Sequence, residues 1–273
     1  MTKWTKTEYK VLASMAPSHH RTNNIVHDND EARKLGFRAG LITGTTIYGY
    51  ASHLPVANWG VLWLTRGTAM LSLRGPTFEG EGVAVRASES KEAADTYEVE
   101  VTSVDPGPRM LMRASLRSRD AAPELRIPRK AANATMPELT RDLLATGTVL
   151  PTLDDRLTEA EMLEYLEQIQ EASSIYRTHK LVHPGQLLHL ANESLMQNFT
   201  LEPWYHVKTE LEYHSPVAWD EPISIRARVV EPYERHGSEL VTIDYEWVAD
   251  ESRLASRARH TLMYHRNMAS AKG

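Results

Sequence analysis

Apolar and polar residues alternate along a series of short stretches of the chain, while two longer stretches are apolar at helical spacing. "VAVRASES" (83–90), "YEVEVTSV" (97–104) and "RMLMRASLRS" (109–118) read as strands separated by turn residues such as Asp105, Pro106 and Gly107. "ISIRARVVE", "ELVTIDYEWV" and "LASRARHTLMYH" repeat that plan further on, with "ERHGS" as a hairpin turn. The alternation in "LVTIDYEWV" predicts one buried face and one wet face. The helical stretches are "GLITGTTIYGYASHL" (40–54) and "HPGQLLHLANESLMQNF" (183–199), each predicted to lead into a Trp-containing strand, "WGVLWLTRG" and "PWYHVKTELEY". One more strand, "YKVLAS", precedes the first helix, and "LTEAEMLEYLEQIQEA" opens with a Thr158–Glu161 capping box.

The two sets are halves of a repeat. "LRGPTFEGEGVAVRA" (73–87) lies over "YHSPVAWDEPISIRA" (213–227) without a gap at an offset of 140 residues. Pro76 falls on Pro216, Glu81 on Glu221, Arg86 on Arg226 and Ala87 on Ala227, and Val83 and Val85 fall on Ile223 and Ile225. Residues 120–157, rich in Pro, Ala and charge, suit a surface connection. The expected organisation is therefore 1–122, a linker over 123–157, and 158–273. Each half is one long helix against an antiparallel sheet, an α+β design present twice.

Composition narrows the chemistry. The chain of 273 residues is 41% hydrophobic and 25% charged, ordinary for a soluble globular protein. A net charge of −5 argues against nucleic acid as a partner. The absence of cysteine removes disulfides, thiolate catalysis and zinc–cysteine sites. "MTKWTKTEYK" has no signal-like apolar core and no stretch is long enough to span a bilayer, so a cytoplasmic protein without a membrane partner is expected. No glycine-rich phosphate loop, G-x-S-x-G or paired-histidine metal motif is present, and neither metal nor cofactor is expected.

One segment carries candidate chemistry, "TNNIVHDNDEARKLGF" (22–37). It resembles the hydratase motif of the MaoC-like (R)-specific enoyl-CoA hydratases and dehydratases, and the duplicated helix-and-sheet plan looks like their double hotdog fold. The motif runs Asp-x-Asn-Pro-aliphatic-His, then a short helix, an "LGF"-like end and a glycine opening the central helix. On that resemblance Asn24 takes the motif asparagine, Val26 the aliphatic site and His27 the catalytic histidine. Gly44, seven residues past Phe37, takes the oxyanion glycine. Two positions depart from it, since Thr22 stands where the family has aspartate and Ile25 where it has proline. The second change alters only backbone conformation. The first is chemical, because the family's Asp/His pair positions water and moves protons.

The resemblance implies an acyl-thioester substrate, CoA-linked, and a lyase that adds or removes water. It also implies a second half that completes the substrate tunnel without a motif of its own, and a homo-oligomer. His27, titrating near neutrality, would be the acid/base. Asn24 would orient His27 or its loop, and Thr22 would orient water or substrate. Gly44 and the preceding Thr43 would bind the substrate where helix N-terminal amides lack partners. His19 and His20 are further candidates for a proton-transfer group, as are Asp28 and Asp30, although Asp28 and Glu31 also have the spacing of a helix cap with Gly36 ending the helix. A hotdog thioesterase, a lyase on a non-CoA substrate and a non-catalytic acyl-binding protein are the alternatives.

Overall fold

The computed structural model of the protein describes residues 3–15, 24–118, 124–133, 135–201 and 203–265. Its strands are β1 (Glu8–Leu12), β2 (Gly67–Leu73), β3 (Gly82–Glu89), β4 (Thr96–Thr102), β5 (Pro108–Leu116), β6 (Val149–Asp155), β7 (Tyr205–Tyr213), β8 (Ile223–Arg235), β9 (Ser238–Ala249) and β10 (Arg253–His265). They form one sheet in the order β1-β3-β4-β5-β2-β7-β10-β9-β8-β6, with antiparallel pairing throughout. That order reads the same from both edges under the repeat, β1 answering to β6, β3 to β8, β4 to β9, β5 to β10 and β2 to β7. The halves join where β2 pairs with β7, Ala69 opposite Leu211.

The helices are α1 (Asn29–Lys34), α2 (Gly44–Trp59), α3 (Val61–Arg66), α4 (Glu159–Gln168), α5 (Ile175–His179) and α6 (Pro184–Asn198). Every residue of α2 from Thr45 to Val56 is buried, as is every residue of α6 from Pro184 to Leu195. A helix covered on all sides must be wrapped, and the curved sheet does this to both. The two helices pack on each other beneath it. A Cβ on Gly49 would stand 2.5 Å from the Tyr165 hydroxyl, and one on Gly185 would stand 3.1 Å from the Gly49 Cα. Gly49 is a packing glycine, its helix cost offset by this close approach. The Thr158–Glu161 capping box starts α4 as expected.

The repeat offset holds in three dimensions. Leu41 bridges Phe78 and Leu181 bridges Ala218. Ile42 N donates to Thr77 O at 2.8 Å, and Val182 N to Val217 O at 2.9 Å. Thr43 caps α2 where His183 caps α6. The first residue of α2 is Gly44 and that of α6 is Pro184, so the second half has no N–H at the matching place.

Three local expectations are corrected. "WGVLWLTRG" is not a strand until its last residue. Gly60 at φ +60° ends α2, and α3 follows because Trp63 is drawn fully into the core, which helical spacing allows. The outer face of "LVTIDYEWV" is mostly buried, with Asp244 half-buried. Residues 124–127 cross the outside of the sheet, where Glu246 accepts from the amides of Arg126 and Ile127 at 2.9 Å and from the Arg257 guanidinium at 2.8 Å. The region 123–157 is likewise more than a surface connection, because its end is β6, hydrogen-bonded to β8.

Candidate functional site

His27 ends a short 3-10 turn, Ile25–His27. Asn24 opens the turn, its side-chain carbonyl accepting from Val26 N at 3.5 Å and its amide donating to Trp204 O at 2.8 Å. Asp28 then caps α1, accepting from the amides of Asp30 and Glu31 at 2.8 and 2.9 Å, and Gly36 at φ +87° turns the chain out of the helix. The returning strand of loop is tied to the turn twice. Leu41 N donates to Val26 O at 2.9 Å, and His27 Nδ1 bonds Leu41 O at 2.7 Å. A carbonyl only accepts, so Nδ1 carries the proton and Nε2 keeps its lone pair. Burial lowers the imidazole to about 4, outweighing the raise from the Leu41 carbonyl and aided by nearby His189. His27 is neutral at pH 7 and can take a proton.

The turn opens on a cavity of about 340 Å³. From the first half come Asn24, His27, Thr43 and Gly44; from the second come Asn192 of α6 and Trp204 and His206 at the start of β7. Between them the wall is apolar, with Phe37, Ile47, Leu73 and Met263 prominent. Among the described residues no aspartate or glutamate lines it. The cavity therefore belongs to the junction of the halves, and one end is the N-terminus of α2. There Thr43 accepts from Thr46 N at 3.2 Å, leaving the first amides of the helix without intrahelical partners and concentrating positive potential. A side chain at Gly44 would collide with Leu73 and stand 2.9 Å from His206 Nδ1.

Among the sequence candidates, His27, Asn24, Thr43 and Gly44 meet at this cavity. Asn24 fixes the loop to the second half through its side-chain hydrogen bonds to Val26 N and Trp204 O. Thr22, His19 and His20 lie outside the described residues. Asp28 is consumed as a cap and Asp30 pairs with Arg33 at 2.9 Å, both exposed and away from the cavity wall. Tyr48 and Tyr213 bond each other through their hydroxyls at 2.6 Å in the core, and neither Tyr50 nor Trp63 reaches the cavity. The arginines of β10 are held by carboxylates: Arg257 by Glu246 and Arg259 by Asp244, each at 2.8 Å, and Arg253 by Glu221.

Asn192, Trp204 and His206 were not legible as site residues, because nothing in their own spacing marks them and the first half alone carries the motif. Thr77 and Asn192 line the cavity and are at most 4% exposed, and their side-chain oxygens Oγ1 and Oδ1 are buried with no hydrogen-bond partner. Such atoms in an otherwise apolar wall are places for a polar ligand. No helix is long and apolar enough to cross a membrane among the described residues.

No protein-family model matches the chain, and no curated protein matches it by sequence. Solved structures do. A Mycobacterium tuberculosis protein described as a double hotdog superposes with a TM-score of 0.65 at 12% identity, covering 96% of each chain. A protein from Chloroflexus aurantiacus named as a MaoC-domain dehydratase gives 0.62 at 11% identity and 96% of each chain. One from Novosphingobium aromaticivorans named as a thioesterase gives 0.54 at 11%, covering 95% of this chain and 96% of its own. The fold is an α+β double hotdog. The names attached to it cover both dehydration and thioester hydrolysis, so chemistry has to be argued from the cavity.

Proposed function

We propose that the protein is an acyl-thioester hydratase or dehydratase whose single site lies between the halves. The observation that carries this reading is the fixed tautomer of His27, a neutral imidazole aimed by the Leu41 carbonyl, in one cavity with the α2 N-terminus. In dehydration, His27 Nε2 removes the α-proton of a 3-hydroxyacyl thioester. The C–H electron pair moves into the thioester, and the negative charge on its oxygen meets the α2 amides. The enolate then expels the β-hydroxyl, which leaves as water with the proton His27 holds. Hydration is the same path reversed.

Thr43 shapes the helix end by its cap, and Asn24 holds the loop that carries His27. The matching place in the second half begins with Pro184 and offers no amide, which supports one site per chain. Along this path the His27 imidazole performs both proton transfers.

Crotonyl-CoA followed by the loss of enoyl-thioester absorbance tests this, with His27→Ala alongside. The expected result is turnover by the native chain and a loss of about 10²–10⁴-fold in the variant, the usual worth of a general acid/base. Equal rates would remove His27 from the chemistry. Release of free thiol from butyryl-CoA, with crotonyl-CoA untouched, would assign hydrolysis instead.

A further inference from the structure

The turn that carries His27, the helix α1 and the loop back to Leu41 form one outlying unit with little packing of its own. Of α1 only Ala32 is buried, and Arg33 and Lys34 spend their charges on Asp30 and Glu31 within the helix. Such a unit stays in place only as well as it is tied down. Its first residue, Asn24, donates to Trp204 O at 2.8 Å. Its last, Leu41, bridges Phe78. Between these ends the side chain of Arg38 reaches across to the sheet side. The guanidinium lies over the Phe78 ring, 4.3 Å from its centroid, and pairs with Glu81 and, at 3.3 Å, with Asp105. Glu81 is 7% exposed, and its carboxylate oxygens have no hydrogen-bond partner among the described residues. Arg38 is therefore what offsets the burial of that charge.

The repeat shows that a glutamate at this place does not need an arginine from the loop. Glu81 and Glu221 sit in matching turns, Glu81 N donating to Phe78 O at 3.3 Å and Glu221 N to Ala218 O at 3.4 Å. In the second half the cation is Arg253 of β10, itself donating to Pro216 O at 2.8 Å. Ala218 N donates to the Glu221 carboxylate at 2.8 Å. That glutamate is satisfied inside its own sheet and turn, and Thr178 stands 140 residues on from Arg38. The half that carries His27 takes its cation from the loop instead.

We propose that the Arg38–Glu81 pair is a tether that positions His27 for proton transfer. It holds the loop on Phe78, the residue that Leu41 bridges, and so holds the Leu41 carbonyl that aims the ring. Arg38 does not line the cavity and is a positioning residue. What His27 does once positioned rests on the acyl-thioester reading above. With the tether broken the loop lifts, water reaches the imidazole, and the ring loses both its burial and its aim.

Two measurements test this. Imidazole ¹⁵N spectra follow the His27 titration with no substrate present, its signal assigned by its loss in His27→Ala. Burial holds the native ring at about 4, and in Arg38→Gln it should rise toward 6.5. Protons would then bind about tenfold tighter or more. Arg38→Lys, which keeps the cation, should restore most of the native value. The double variant Arg38→Gln/Glu81→Gln, which leaves no charge buried at this place, should rise as far as the single one because the two residues act as a unit. Arg253→Gln, which breaks the matching pair, should leave His27 where it is. With crotonyl-CoA, Arg38→Gln should lower kcat about 10–10²-fold with little change in KM, the loss expected of a misplaced group. An unchanged His27 titration in the folded double variant overturns the proposal. So does an equal rise in Arg253→Gln, which would mark general loosening, or a native ring that already titrates as if in water. If His27 moves as expected while the native chain leaves crotonyl-CoA untouched, the tether stands and the acyl-thioester reading falls.

Discussion

His27 Nδ1 and Leu41 O, fourteen positions apart in sequence, stand 2.7 Å apart across the mouth of a loop. That bond fixes which nitrogen of the ring can act, and the same loop runs directly into the N-cap of α2. His27 and the end of α2 are therefore positioned by one short piece of backbone.

The first prediction concerns the rate at different pH. On the proposed path the neutral imidazole of His27 is the working form, and burial lowers it from 6.5 to about 4. Activity requiring that form should stay level from neutrality downward and fall as pH drops through about 4. A kcat/KM profile on crotonyl-CoA over pH 3.5–8, limited by stability controls, checks this; an acid limb centred near 6.5 would mean that His27 is solvated.

Gly40 is the second. Its amide donates to Asn29 Oδ1 at 2.9 Å, and a Cβ there would stand on the His27 backbone carbonyl. Gly40→Ala should push the 25–27 turn away and misalign His27 while the sheet stays folded. The expected effect is about 10²-fold in kcat, the usual consequence of a misplacement near 1 Å, with a circular dichroism spectrum like that of the native chain.

A third prediction lies away from the cavity, where Glu171 joins the helices. Its carboxylate is 2.6 Å from His53 Nδ1 and 3.5 Å from His183 Nε2, with its side chain 1% exposed. Burial alone would raise it, but the adjacent His183 and His53 imidazoles hold it well below the usual carboxylate range. Replacing one member of a buried charged cluster costs about 3–5 kcal/mol, so Glu171→Gln should lower the unfolding free energy by that amount and bring the urea midpoint down in proportion, with an unchanged slope.

The fourth follows from linkage. His27, His183, His206 and His260 are all held below the ordinary 6.5 by burial, so the unfolded chain binds protons that the native chain refuses. Their depressed values make stability fully present above about 6.5 and lost progressively as pH falls toward 4. Thermal midpoints measured from pH 8 to pH 4 should decline from about pH 6.5 downward. A midpoint flat to pH 5 would place these rings in contact with water.

The repeat, most of the strands, both long helices and the α1 cap were readable in the sequence because each is local or periodic. Alternation names a strand, Asp28 ahead of Glu31 names a cap, and an offset that pairs Pro76 with Pro216 names a duplication. His27 and Gly44 were readable for the same reason, since the motif that holds them is contiguous. What the sequence could not supply is decided by contacts between the halves. Trp63 turns an expected strand into α3 because the core takes it, and β9 loses most of its wet face because residues 124–127 cover it. Asn192 and His206 reach the same cavity as His27 only because β2 pairs with β7 and α2 packs on α6. Their partners are set by long-range packing, which has no period along the chain. The sequence by itself determined the fold and the first-half residues of one cavity wall; the tertiary structure brought the second-half residues to it.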